Sequence, residues 1–121
     1  MHSLRLNLCT ALMLFLLSAP NSHANYFMSG NDLLDYCDSR SPTKLSLCNG
    51  YIMGVADTIP WINTALGKFG QKGACIPRNT NITSEQLRDI VVFYLRRNAK
   101  RRHETAEMLV FFAIQEAWER C

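Results

Sequence analysis

Residues 82–97 read ITSEQLRDIVVFYLRR and carry the clearest structural signal in the chain. Thr83 stands at a helix N-cap and Gln86, three residues on, completes a capping box, with Ile82 and Leu87 as the hydrophobic staple around it. Leu87, Ile90, Val91, Tyr94 and Leu95 then recur at helical spacing and make one apolar face. Arg96 and Arg97 place cations where a helix C-terminus favours them. Val92 and Phe93 widen the apolar stripe beyond what one core needs.

On the C-terminal side a helix is predicted from near Arg102–Thr105 to about Trp118. Its centre, MLVFFAI at 108–114, is apolar all the way round, which predicts complete burial. A small domain has trouble surrounding such a helix. The surplus apolar surface therefore predicts a homodimer, with Val92, Phe93, Met108, Phe111 and Phe112 at its interface.

On the N-terminal side Ser41 and Pro42 give a start signal, Ser as N-cap and Pro at the first helical position. Leu45, Cys48, Ile52, Val55 and Ile59 follow every three or four residues. Gly50 and Gly54 lie one turn apart on this helix, each costing about 1 kcal/mol against Ala, which predicts close approach of another backbone. Pro60 is expected to end or kink the helix. WINTALGKFGQKGACIPRNTN, residues 61–81, reads as a helical remnant over Trp61–Leu66 and then an exposed loop. A further short helix is predicted over about Gly30–Asp38, with Ser29 and Asp32 as a weak capping box. No segment shows strand-like alternation. The class predicted is all-α, a small disulfide-stapled bundle of about four helices.

The extreme N-terminus is of another kind. Arg5 precedes an apolar run from Leu8 to Ala19, and Ser22-His23-Ala24 fits a signal-peptidase site, so residues 1–24 read as a cleaved secretory signal peptide. About a dozen apolar residues fall short of the roughly 20 that cross a bilayer, so no membrane association is expected after cleavage. The mature chain, 25–121, suits one domain. The full sequence carries 13 basic and 10 acidic residues, and losing Arg5 leaves 12 against 10. A balance that mild does not point to nucleic acid.

Cleavage removes Cys9 and leaves Cys37, Cys48, Cys75 and Cys121, the arithmetic of two disulfides in an exported chain. Four cysteines allow three pairings. Antiparallel neighbouring helices bring Cys37 to Cys48, and return the chain's end to the start of the third helix near Cys75. The predicted bridges are Cys37–Cys48 and Cys75–Cys121.

With those thiols paired, no thiolate is left for nucleophilic catalysis. His103 is the one mature histidine, and no metalloprotease, nucleophile-elbow or phosphate-loop motif occurs. Tight C-x-x-C pairs for zinc are absent too. The chain is expected to be no enzyme and to need no cofactor or metal. Asp57 reads as a partly exposed helix carboxylate. Asn81 opens a formal glycosylation sequon that is more simply the run into the Thr83 cap. Arg96, Arg97, Lys100, Arg101 and Arg102 put five cations in seven residues, a solvated turn or a positive knob that enters an acidic cleft on a partner.

CNGYIMGVADT (48–58), CIP (75–77), the run from Ile82 to Trp118 and a cysteine at 121 together resemble the Rap/Tai immunity proteins of bacterial type VI secretion. The likeness extends from about Gly30 to Cys121. It departs from the family pattern at Glu119-Arg120-Cys121, where Pro-Cys is usual, and at Ala99, near a position that often holds proline. The resemblance implies a small, helical, disulfide-bonded periplasmic domain over 25–121. It further implies a homodimer that binds a peptidoglycan amidase toxin and blocks its active site. The toxin-facing elements expected are the turn from Asn98 to His103 with its flanking arginines (Arg96, Arg97, Lys100, Arg101, Arg102, His103) and the loop from Gly67 to Ala74, with Phe69 as an aromatic anchor. The competing reading is a small periplasmic stress chaperone that binds unfolded clients through apolar surface its dimer hides.

Overall fold

A computed structural model describes residues 27–77 and 80–119. Its elements are α1 (Gly30–Cys37), α2 (Pro42–Lys68), α3 (Ser84–Arg97), a 3-10 turn (Ala99–Arg101) and α4 (Ala106–Ala117). Among the described residues the only β-type pairing is one isolated bridge, Ser29 with Thr105. The all-α class is confirmed. The signal segment, 1–24, lies outside the described residues.

Local chemistry sets the helix starts. Thr83 Oγ1 accepts from the Gln86 N–H at 3.2 Å and Gln86 Oε1 accepts from the Thr83 N–H at 2.9 Å, so both arms of the α3 capping box form. Ser29 and Asp32 form a second box at α1, with the Ser29 N–H at 2.9 Å and the Ser29 hydroxyl at 2.6 Å from Asp32 Oδ2. Those two hydrogen bonds, the hydroxyl's first, hold the Asp32 carboxyl below its usual range. A depressed carboxylate adds stability above its unfolded pKa, and that contribution disappears as pH falls through the folded value. Asp32→Asn should therefore be less stable than wild type at neutral pH and converge with it as pH falls through the depressed folded-state pKa. Denaturation midpoints between pH 7 and pH 2 measure this.

α1 is seated by its neighbours' main chain. The N–H groups of Gly30 and Asn31 donate to the carbonyls of Glu104 and Arg102 at 3.0 and 2.9 Å, and the Ala106 N–H donates to Met28 at 2.9 Å. This ladder takes residues 102–105 out of the predicted fourth helix, which begins at Ala106. A Cβ at Gly30 would collide with Leu109 Cδ1 and lie 3.0 Å from the Arg102 carbonyl oxygen. Leu109 can yield, but the Arg102 main chain is held by the ladder. Gly30→Ala should cost about 1–3 kcal/mol through overpacking, readable as a lower denaturant midpoint at unchanged m.

α2 departs from expectation. Its 27 residues pass through Pro60 without stopping. An interior proline costs about 3 kcal/mol. Beyond it, Ile62 and Leu66 pack against the core beside Ile59, which is 4% exposed, and that burial offsets the lost backbone bond. Thr64 Oγ1 also donates to the Pro60 carbonyl at 2.9 Å. The actual stop is a Schellman cap. The Gln71 N–H reaches the Leu66 carbonyl at 3.0 Å and the Gly70 N–H reaches Gly67 at 3.2 Å. Gly70 takes the left-handed φ of 65° that the motif needs. The predicted loop thus loses Gly67 and Lys68 to the helix.

Leu33, Cys48, Ile52, Val91, Leu95, Leu109, Val110 and Ile114 form the centre of the core, and each is fully buried. α4 packs on α2 and α3, and α1 touches all three. The Cys37–Cys48 disulfide is present, with 5.1 Å between Cα atoms, and ties α1 to α2. Cys75 is also disulfide-bonded. Cys121, its predicted partner, lies outside the described residues.

α4 is not wholly buried as its composition predicted. Leu109, Val110 and Ile114 are at 0%, but Met108 is 49% exposed and Phe112 only half-buried. Nor does any backbone among the described residues approach Gly50 or Gly54, since none of their atoms lies within 4 Å of a Cβ built on either. These two departures describe opposite walls of one open groove.

Candidate partner-binding surface

The basic run does not form the free knob that its composition suggests. Arg96 Nη2 pairs with Asp38 Oδ1 at 2.6 Å, and Arg97 Nη2 with Glu116 Oε1 at 2.8 Å. The Arg97 guanidinium also lies 5.0 Å from the Phe93 ring centroid. Arg101 grips Glu104 with two nitrogens, at 2.8 and 2.7 Å, and gives a third bond to the Tyr94 hydroxyl at 2.8 Å. Its guanidinium stacks 4.7 Å from the Phe112 ring centroid. The hydrogen bonds from Arg101 hold the Glu104 carboxyl below its usual range. Arg102 is half-buried, with its Nε shielded from solvent and its carbonyl committed to Asn31. Lys100 and His103 are exposed at the turn. Three arginines thus brace the turn, while Lys100 and His103 stand on its surface.

The second element, Phe69–Ala74, is strapped at both flanks. Asn63 on α2 uses its whole carboxamide, donating to the Ala74 carbonyl at 2.6 Å and accepting from the Ala74 N–H at 2.9 Å. Gly73 is required beneath this clamp, because a Cβ there would strike Asn63 Oδ1. Gln115 on α4 donates to the carbonyls of Lys72 and Gly73 at 2.9 and 3.1 Å. Ala74 and Cys75 are buried, and Phe69 stands 78% exposed at the tip. Phe69 therefore projects from a stiff support.

The two elements are linked through shared neighbours, Tyr94 and Phe112, both of which Arg101 contacts. Lys72 of the loop, Tyr94 (which holds Arg101) and Phe112 line one shallow depression of about 180 Å3 near the end of α4. Of the predicted interface residues, Met108, Phe111 and Phe112 line the larger groove, of about 850 Å3. Val92 is half-buried, and Phe93, 59% exposed, stacks under Arg97 away from the groove lining. Asn63 and Gln115 were not anticipated. A lone polar residue within a helix gives no local sign of a distant main-chain partner.

The family model of the Rap1a immunity proteins matches residues 29–121. The chain belongs to the Rap1a immunity protein family. The match spans every helix described above, from the Ser29 cap of α1 onward. No curated protein and no solved structure matches this chain. Membership makes a toxin the partner of this Rap1a protein. No helix among the described residues is long and apolar enough to cross a membrane, and no group of three His, Cys, Asp or Glu side chains among them could hold a metal.

Proposed function

We propose that this Rap1a immunity protein is exported to the periplasm when residues 1–24 are cleaved. There it binds, as a homodimer, a peptidoglycan amidase toxin delivered by a type VI secretion system and blocks the toxin's active site. The family match over residues 29–121 carries the reading. The stiffness of the Phe69 loop and the basic turn supports it, because a surface already ordered loses little entropy on docking. Phe69, Lys100 and His103 are the contact residues of this proposal. Arg96, Arg97, Arg101 and Arg102 belong to the same contact surface, the first three in ion pairs that fix its shape.

Cells carrying candidate peptidoglycan amidase toxins directed to the periplasm test it. The full chain should protect them, and a chain lacking residues 1–24 should not. Purified 25–121 should abolish peptidoglycan cleavage at equimolar ratio, and Phe69→Ala with Lys100→Glu should weaken that inhibition at least 30-fold, the size of a hot-spot loss. Protection by the unexported chain, or cleavage unaffected by excess protein, would overturn the reading.

A further inference from the structure

We infer that the groove between α2 and α4 is the seat of a second copy of this chain, docked antiparallel about a two-fold axis, with Trp61 of each copy over Gly54 of the other. The inference rests on the homodimer proposed above and assigns it a surface.

Gly50 and Gly54 weaken α2 without serving any contact among the described residues, which leave the space above both empty. They leave a flat patch in the wall of an apolar groove completed by Tyr51, Val55, Met108 and Phe112. Two turns along, Trp61 is 81% exposed. Seven residues return a helix to within about 20° of the same line, about 10 Å further on, so hollow and knob share one stripe. A two-fold interface requires this self-complementarity, in which residue i meets j while j meets i.

The charges agree. Glu107 and the Tyr51 hydroxyl that donates to it at 3.3 Å mark one end of the groove. Lys68 and Lys72 mark the other, where α2 ends and Gln115 holds the loop. Seating Trp61 over Gly54 reverses the partner's α2. Glu107 of each copy then falls within about one turn of the lysine end of the other, within reach of a long ammonium side chain. Such an axis also brings Asp57 near its own copy. Asp57 is exposed on the outer flank, where solvent and salt screen that repulsion. A face two helices wide and as long as α2 measures about 40 by 20 Å, close to the roughly 800 Å2 per partner of a stable interface.

The test is the molar mass of purified 25–121 by light scattering, together with Trp61→Ala and Gly54→Leu. Gly54→Leu puts a side chain into space that is empty in the single chain and suits a helix better than glycine. Its helical circular dichroism should be intact and its melting temperature no lower than that of dissociated wild type. The expected result is a wild-type dimer whose dissociation constant rises at least 30-fold in each variant, the size of a hot-spot loss. A wild-type dimer indifferent to both substitutions overturns the assignment and leaves the homodimer standing. A wild-type monomer at 100-micromolar concentration, on the order of the weakest interfaces of this size, overturns both. If Gly54→Leu then abolishes amidase inhibition, the groove belongs to the toxin.

Discussion

Replacing Cys37 and Cys48 together by alanine should lower the domain's stability by about 3 kcal/mol, the chain-entropy value for a short closed loop. The bridge spans a separation of 11 residues and joins α1 to α2 at 5.1 Å between Cα atoms. Both cysteines are buried, Cys48 completely, so the loss of packed sulfur adds to the loss of the link. For a domain of about 100 residues each kcal/mol moves the melting point by about 4–8 °C, which puts the fall at about 12–24 °C. Removing both thiols avoids leaving one free to attack the Cys75 bridge. Urea titrations of the wild type and the double variant measure the effect. A difference below about 1 kcal/mol would mean that the bridge adds nothing to a connection already made by packing.

Leu109→Ala should cost about 2–5 kcal/mol, the usual range for a leucine removed from a core. Leu109 is fully buried and its side chain covers Gly30 at the start of α1. The void opens beneath the backbone ladder joining residues 28–31 to 102–106. Hydrogen exchange at Gly30, Asn31 and Ala106 should therefore accelerate beyond what the global loss explains. Unchanged relative protection at those amides would show that the ladder stands without the leucine under it.

The capping boxes were fully legible because both partners of each bond lie three residues apart. The first disulfide was legible because the short connection between α1 and α2 leaves Cys37 and Cys48 little choice. Pro60 misled because a local rule met a tertiary one. The apolar residues beyond it have a core to join, and the real stop, Gly70 after Phe69, lies ten residues further on. The ion pairs of the basic run were hard to read for a related reason. Glu104 is three residues from Arg101 and was readable as its partner, but Asp38 and Glu116 reach Arg96 and Arg97 from other helices. The apolar circumference of α4 showed that it needs cover on every side. It did not show that one side would be left open by its own chain. For the candidate surface, the sequence located the turn and Phe69 but gave no sign of the Asn63 and Gln115 straps.

Those straps have a consequence for how such a protein diversifies. Asn63 and Gln115 grip peptide groups, and peptide groups are the same whatever letters are written along the chain. Gly70, with its left-handed φ, and Gly73, beneath the Asn63 clamp, are constrained by their own identity. Positions 69 and 71 are thus interchangeable lettering on a fixed mount. A new set of side chains there would be displayed at the old coordinates, so recognition can be rewritten without redesigning the scaffold beneath it.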